Sequence, residues 1–158
     1  ADYLSARLGK KISLTTKLEI ENNVQHNGQL ISWVLENMIK NAADALEGEG
    51  EITIRKETAA AEVHLFISDN GKGIPANDQR KIFQPGFTTK SRGWGLGLSL
   101  AKRIIEDYHQ GKVVLVESGT QLGTTFKSNL KILNSFLLSF QKLLSILRYF
   151  HQIPYIYF

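Results

Sequence analysis

Apolar residues recur at intervals of three and four between Leu30 and Leu46, and this run constrains the fold of the 158-residue chain more than any other. Such spacing places apolar side chains on one face of an α-helix. The run stops at EGEG, residues 47–50, where two glycines end it. The sequence therefore predicts one long helix with a buried face. Its apolar positions are Leu30, Ile31, Val34, Leu35, Met38, Ile39, Ala42, Ala45 and Leu46.

Runs with the character of β-strands lie on both sides of this helix. Two of the runs that follow it are joined by a short polar and alanine-rich turn, which predicts a β-hairpin. The last two runs flank the glycine turn GTQLG at residues 119–123 and predict a second hairpin. The runs are KISLTTKLEI at 11–20, EITIRKE at 51–57, AEVHLFIS at 61–68, KVVLVES at 112–118 and TTFKSNLKIL at 124–133.

Two shorter helices are predicted between the hairpins. ANDQRKIF, residues 76–83, follows Pro75, which suits the first turn of a helix. LSLAKRIIEDYH, residues 98–109, also has helical periodicity. The order of elements lacks the strict alternation of a parallel βαβ protein. It predicts an α/β two-layer sandwich of the α+β kind, with a mixed, mostly antiparallel sheet packed on one face against helices.

Charge and cysteine content exclude several classes of function. The net charge of +4 is not gathered into a dense run of Lys and Arg, so we expect no nucleic-acid partner. The chain has no cysteine, hence no disulfide framework and no thiolate metal site. We therefore expect a cytoplasmic domain, and leave open whether the parent protein is anchored in a membrane.

The stretch SDNGKGIP, residues 68–75, places a carboxylate at the end of a predicted strand. A partly desolvated Asp69 favours a donor such as an exocyclic amine, because an unpaired buried charge is costly. Gly71 and Gly73 remove side chains where a flat ligand would press on the backbone. The same residues also form a common Asp-Asn-Gly turn that needs no ligand. This stretch alone leaves both interpretations open.

Two asparagines lie on the long helix within ENMIKNAADAL, residues 36–46. Asn37 and Asn41 are four apart, so both amides lie on one stripe of the helix. An amide oxygen is a suitable ligand for Mg²⁺, which prefers oxygen and keeps waters and phosphates in its shell. A solvent-facing stripe of the helix is the alternative interpretation.

Gly93, Gly95 and Gly97 alternate just before a predicted helix. This arrangement lets backbone N–H groups and the helix N-terminus meet a phosphate. A dinucleotide fingerprint that starts at Gly93 needs glycine or alanine at position 98, where the chain has Leu98. The sequence G-x-x-x-x-G-K-[ST] is also absent, so a P-loop is excluded.

Taken together, these motifs resemble the ATP-binding domain of the GHKL superfamily, and within it the catalytic domain of bacterial sensor histidine kinases. ENMIKNAADAL resembles the N box, and DNGKGIP, residues 69–75, resembles the G1 box. IFQPGFTTK at 82–90 is similar to the F box, and GWGLGLSLAKRIIEDYHQG at 93–111 to the G2 box. GTTF at 123–126 resembles the terminal motif. The resemblance covers residues 11–133.

The resemblance implies that the domain takes ATP and Mg²⁺ as cofactors. Asp69 would accept a hydrogen bond from the adenine amino group, with Gly73 beside the base and Thr124 supporting Asp69 through water. Asn41 would be the Mg²⁺ ligand, and Asn37 would assist; both, with Lys90, are the implied catalytic residues. Residues 83–97 would form a mobile ATP lid. The other implied cofactor-binding residues are Lys40, Ala45, Gly71, Ile74, Phe83, Thr88, Thr89, Lys90, Arg92, Gly93, Gly95, Leu96, Gly97 and Leu98.

The function implied by the resemblance is transfer of the γ-phosphoryl group of ATP to a histidine on a separate dimerisation domain. The partners would be that domain, in the same or a partner kinase, and indirectly a response regulator. A non-catalytic ATP-gated interaction module and a hydrolytic ATPase are the alternatives. Related ATPases carry a glutamate base at the position of Asn37, whereas here Glu36 lies about 100° round the helix. Hydrolysis is therefore the least favoured.

The chain departs from the family pattern at two positions and lacks an acceptor motif. Gln110 stands where similar sequences often have glycine. Trp94 is bulky for a lid; it would shield the nucleotide or pack the lid hinge, and we favour packing. None of the histidines lies in an acceptor-like helix, and we expect His64 and His109 to be structural. The histidines are His26, His64, His109 and His151.

The sequence predicts three segments. Residues 1–10 resemble the end of a linker helix from a dimerisation domain, and 11–133 form the catalytic domain. Residues 134–158 trace an apolar helical face interrupted by polar residues, which favours an amphipathic helix over a membrane span. Self-association, docking on the domain itself, contact with a membrane surface and an extension foreign to the native protein all remain open for this tail.

Overall fold

The computed structural model describes residues 11–17, 28–59, 62–91, 93–120 and 122–131. The predicted linker helix and C-terminal tail lie outside these residues, as do His26, Arg92 and His151, and the proposed division at residues 11 and 133 stays a prediction. The described elements, in chain order, are β1 (Lys11–Lys17), α1 (Gly28–Ala45), β2 (Glu49–Ala59), β3 (Glu62–Asp69), α2 (Ala76–Gln79), α3 (Gly97–Arg103), a π-helical turn (Ile104–Tyr108), β4 (Lys112–Gly119) and β5 (Gly123–Lys131).

The long helix and both hairpins are confirmed, and the two shorter helices differ from prediction at their ends. The helix predicted over 76–83 is regular only at Ala76–Gln79, and turns follow it. The helix predicted over 98–109 begins at Gly97 and widens into the π-helical turn. Gln110, just beyond, has φ +50°. That left-handed conformation favours glycine, which explains why similar sequences often have glycine there.

The sheet has five strands in the order β1-β2-β3-β5-β4. β1 runs parallel to β2, and the remaining neighbours are antiparallel. The parallel pair is joined through α1, since parallel strands need a crossover connection. The predicted mixed and mostly antiparallel sheet is confirmed.

The core lies between one face of this sheet and the helices. Ile54, Ile67 and Phe126 form a row across β2, β3 and β5, and all three are buried. Leu35 and Met38 of α1 belong to the same buried cluster. On the opposite face, Arg55, Phe66 and Lys127 form the next row and remain partly exposed. Helices therefore cover one face of the sheet, as in the predicted two-layer sandwich.

The alternation of side chains along β3 fixes where its last residue points. Val63, Leu65 and Ile67 face the helices, so Asp69, two positions beyond Ile67, ends the same row. Asp69 is paired in register with Ile52 on β2 and with Thr124 on β5. The central strand therefore ends in a carboxylate that lies at the edge of the hydrophobic core.

The described histidines contact groups in their own elements or just before them. His64 lies with Nε2 3.2 Å from Oε2 of Glu62. His109 is buried, and its Nδ1 lies 2.8 Å from the carbonyl oxygen of Ile104. Among the described helices, none combines the length and apolarity needed to cross a membrane.

Candidate functional site

Asp69 is half-buried at the end of β3, where backbone groups hold its carboxylate. The N–H of Gly71 donates to Oδ1 over 2.9 Å, and the backbone of Thr124 donates as well. Burial raises the pKa of Asp69 above its ordinary value, and the two backbone hydrogen bonds partly oppose that rise. Among the described residues no cation forms an ion pair with this carboxylate. Asp69 is thus a partly desolvated acceptor, as the sequence predicts.

Three glycines around Asp69 let main-chain segments approach too closely for any side chain. A Cβ on Gly71 would lie 2.5 Å from the carbonyl oxygen of Ala45. A Cβ on Gly73, which has φ +71°, would lie 2.0 Å from the oxygen of Gly119. At Gly123, with φ +74°, it would lie 1.9 Å from the oxygen of Asp69 itself. Main-chain packing therefore fixes the surroundings of the carboxylate, and places Ala45 against Gly71.

A hydroxyl and an amide side chain pin the loop after Asp69 to the β4–β5 hairpin. The Ser118 hydroxyl accepts from the N–H of Ile74 over 2.8 Å and lies 3.0 Å from the Thr124 hydroxyl. Gln79 donates to the carbonyl oxygens of Ile74 and Ser118 over 3.0 and 2.9 Å. Sequence reasoning missed Ser118 and Gln79, since no local pattern links residues this far apart in the chain.

The asparagines of α1 lie on one stripe, and each faces part of the glycine-rich stretch at residues 83–97. The Asn37 amide donates to the carbonyl oxygen of Trp33 over 2.8 Å. Its Oδ1 points at Gly97, where an added Cβ would lie 3.0 Å away. Oδ1 of Asn41 accepts a hydrogen bond of 2.9 Å from Nζ of Lys90. The predicted N-box residues are thus brought to the predicted G2 and F boxes.

Lys90 also forms an ion pair with Asp44, a residue that sequence reasoning did not single out. Asp44 is exposed on α1 and lies within ENMIKNAADAL, but the resemblance implied no role for it. Lys40 instead pairs with Glu36 over 3.1 Å along the helix. The part of Lys40 in binding the cofactor stays a prediction.

The glycine-rich loop, residues 83–97, is anchored at Phe83 and crosses itself at two glycines. Phe83 packs edge-on against Phe126, with ring centroids 6.1 Å apart. The N–H of Gly86 donates to the oxygen of Gly95 over 3.0 Å. Gly95 has φ +66°, and a Cβ there would lie 2.4 Å from the carbonyl carbon of Gly86. This crossing closes the described part of the loop.

The middle of the loop is open to solvent. Thr88, Thr89 and Lys90 are exposed, and the Thr88 hydroxyl accepts from the N–H of Lys90 over 3.1 Å. Trp94 is 86% exposed. The prediction that Trp94 packs the hinge is wrong, because the flanking glycines let the chain turn its side chain into solvent. Gly93 and Leu96 are also exposed, and Leu98 packs against the core.

The donor set around Asn41 fits a cation that takes few protein ligands. Oδ1 of Asn41 already accepts from a positive group, the ammonium of Lys90. Within the described ranges there is no cluster of three or more His, Cys, Asp or Glu that would cage a metal. Mg²⁺ bound through one or two protein oxygens, with waters and phosphates completing its shell, suits such a site.

Comparison with known proteins identifies the class. Residues 26–134 match the family described as Histidine kinase-, DNA gyrase B-, and HSP90-like ATPase. The chain belongs to this family of nucleotide-binding domains, which confirms the resemblance seen in the four sequence motifs.

Within the family, the similar proteins are sensor histidine kinases. The C4-dicarboxylate transport sensor protein DctB of Rhizobium meliloti (strain 1021) is 44% identical over 103 residues, which are 64% of this chain and 16% of DctB. The signal transduction histidine-protein kinase AtoS of Escherichia coli (strain K12) is 36% identical over 124 residues, 77% of this chain and 20% of AtoS. The chain thus spans about a fifth or less of these relatives.

Solved structures give the same fold. The nucleotide-free catalytic domain of histidine kinase ThkA superposes with a TM-score of 0.66 at 34% identity, covering 77% of this chain and 78% of that domain. A second structure shows ThkA in complex with the response regulator protein TrrA; it matches with a TM-score of 0.65 at 31% identity over 77% of this chain and 34% of that chain. The α/β two-layer fold is therefore that of a histidine kinase catalytic domain.

Proposed function

We propose that this domain binds Mg²⁺·ATP and, within its parent protein, transfers the γ-phosphoryl group to a histidine on a separate dimerisation domain. The observation that carries the proposal is the half-buried Asp69 beside Gly71 and Gly73, at the end of the central strand, where no described cation neutralises it. A carboxylate that accepts hydrogen bonds, beside glycines that leave room for a flat ring, suits the amino group of adenine.

The phosphates would lie toward Asn41 and the glycine-rich loop. Lys90 supplies a positive charge there, and Asn41 supplies the oxygen for the metal. Bound Mg²⁺ would neutralise charge on the phosphates during transfer. The residues of this chain would orient the nucleotide, since phosphoryl transfer depends mainly on positioning and charge neutralisation.

The structure gives no support to hydrolysis by an internal base. Glu36 forms its ion pair with Lys40, and Asn37 occupies the position where related ATPases carry a glutamate. The nucleophile would therefore come from a histidine of the partner domain. Its nitrogen would bond to the γ-phosphorus as the bond to the ADP oxygen breaks. A response regulator as the next partner is supported by the complex of ThkA with TrrA.

Calorimetry with a non-hydrolysable ATP analogue tests the site. Asp69→Asn should weaken binding about 10- to 100-fold, because a charge-assisted hydrogen bond is lost. Asn41→Ala should abolish the difference between affinities measured with and without Mg²⁺. Asn77→Ala, an exposed asparagine on α2, should change neither quantity. Full affinity in Asp69→Asn would refute the adenine assignment.

Transfer itself is tested with γ-labelled ATP and a histidine-bearing dimerisation domain supplied in trans. Label on the histidine supports the proposal. Tight binding of ATP without labelling of any such domain would favour the ATP-gated interaction module. Steady release of phosphate without an acceptor would favour a hydrolytic ATPase.

A further inference from the structure

Lys90 connects the glycine-rich loop to α1 through two side chains. Its Nζ lies 2.9 Å from Oδ1 of Asn41 and also forms an ion pair with Oδ2 of Asp44. The lysine is 46 residues from Asp44 in the chain, so the contact is purely tertiary. Because Asn41 and Asp44 are three apart on the helix, both face the same ammonium.

This contact is placed to be exchanged rather than to hold the fold together. The side chains of Lys90 and Asp44 are 42% and 57% exposed, and solvent weakens an ion pair between such groups. The lysine N–H makes only a local bond, to the Thr88 hydroxyl two residues earlier in the same loop. The ammonium is thus carried on a long, partly exposed side chain that can change partners.

The ammonium and Mg²⁺ would compete for Oδ1 of Asn41. A metal bound to this oxygen would place a double positive charge beside the ammonium, and the two would repel each other. We therefore expect Lys90 to leave Asn41 when the metal binds. A phosphate of the same nucleotide offers the ammonium a new negative partner.

We propose that Asp44 is a positioning residue that keeps the ammonium of Lys90 at the metal-binding oxygen of Asn41 until Mg²⁺·ATP displaces it toward the phosphates. This inference rests on the proposed function for the identity of the ligand. It adds a role for Asp44 and an order of events: the lysine occupies the metal position in the nucleotide-free protein. Asp44 then opposes nucleotide binding slightly, because its ion pair must be broken first.

The test compares four variants with the unmodified chain: Asp44→Asn, Lys90→Met, the double variant, and Glu47→Gln. Glu47→Gln is the control, since Glu47 pairs with Lys72 over 2.8 Å in a more exposed contact just beyond the same end of α1. Two quantities are measured. One is hydrogen exchange of the loop peptide 84–91 without nucleotide, and the other is affinity for a non-hydrolysable ATP analogue with and without Mg²⁺.

Asp44→Asn should speed exchange of the loop peptide and tighten Mg²⁺-dependent binding, each by about two- to fivefold, as expected for an exposed ion pair. Lys90→Met should speed exchange similarly but weaken binding, because the phosphate partner is lost. Asp44→Asn should add nothing in the Lys90→Met background. Glu47→Gln should leave both quantities unchanged.

Three results would each overturn the inference. The first is that Asp44→Asn weakens binding of the analogue, and the second is that it leaves the exchange of the loop peptide unchanged. The third is that Asp44→Asn has the same effect in the Lys90→Met background as in the unmodified chain. The proposed function fails separately, if the unmodified chain does not bind the analogue. In that event the exchange measurement still decides whether Asp44 holds Lys90 in the nucleotide-free protein.

Discussion

The two ends of the proposed nucleotide site are built in different ways. At the adenine end, Asp69, Gly73 and Gly123 are fixed by close main-chain contacts. At the phosphate end, Asn41 and Lys90 meet through side chains, and the lysine is exposed. The adenine end is therefore formed before the ligand arrives, and the phosphate end must rearrange its contacts. Substitutions at the adenine end should therefore cause large losses in the free energy of unfolding, and substitutions at the phosphate end should cause small ones.

The largest effect is expected from Gly73→Ala. The new Cβ would lie 2.0 Å from the oxygen of Gly119, and φ is +71°. The left-handed conformation and the overlap together should lower the free energy of unfolding by about 2–5 kcal/mol. Chemical denaturation measures this change, and calorimetry should show that nucleotide binding is lost with it.

Gly86→Ala is the control for Gly73→Ala. Gly86 has φ +83°, and nothing lies within 4 Å of an added Cβ. Only the conformational cost applies, about 1–2 kcal/mol. Equal losses in the two variants would show that the adenine end is not closely packed.

Asp69 should give pH dependences of opposite sign for folding and for binding. Its pKa is raised from 3.8 in the folded protein, so the folded state keeps the proton over a range where the unfolded state has lost it. The free energy of unfolding contributed by Asp69 therefore falls as pH rises from 3.8 through the raised pKa. Affinity for adenine should instead fall about tenfold as pH drops through that pKa, because the charged acceptor is lost.

Denaturation and calorimetry across this pH range, on the unmodified chain and Asp69→Asn, check both signs. The variant should lose both dependences and be more stable at neutral pH, since it has no buried charge. Binding that strengthens on acidification would contradict the assignment of Asp69.

Ser118→Ala should lower the free energy of unfolding by about 1–2 kcal/mol, because the N–H of Ile74 loses its partner. Thr120→Ala, an exposed position in the same hairpin, should have almost no effect. Thermal denaturation of both variants measures the difference. A similar loss in both would mean that Ser118 does not hold the loop.

The smallest effect is expected from Trp94→Ala in the glycine-rich loop. Trp94 is 86% exposed, so its removal should change the free energy of unfolding by about 0.5 kcal/mol or less. Chemical denaturation checks this. A loss of more than 2 kcal/mol would show that the tryptophan packs on the domain and would remove the contrast between the two ends.

The local patterns of the sequence were sufficient for the long helix and both hairpins, but not for the ends of the two shorter helices. Spacing by three and four predicts α1 because only a helix gathers such residues on one face, and alternation predicts both hairpins. The same alternation explains Asp69: two residues beyond Ile67, it must face the helices. The parallel pairing of β1 with β2 was not predicted, since strand neighbours are set by packing across the whole domain.

Contacts between distant side chains escaped sequence reasoning. In the sequence, Asp44 cannot be told from other polar residues on the exposed face of the helix. Only the structure shows that Lys90 contacts it. Trp94 was assigned wrongly because apolar character alone does not tell which way a loop between glycines turns its side chain. The motifs predicted which regions of the chain meet, but not which atoms contact each other there.

The position of β3 in the sheet has a consequence for the rate of folding. β3 pairs with β2, from which only two residues of the chain separate it. Its other neighbour is β5, where Thr124 pairs with Asp69 although the two are 55 residues apart in the chain. Pairing over such a distance is slow, because the entropy of closing a long loop is lost before contacts form. If the adenine end is completed only when β5 docks, nucleotide stabilises a contact made late in folding. Bound ATP would then lower the unfolding rate and leave the refolding rate almost unchanged.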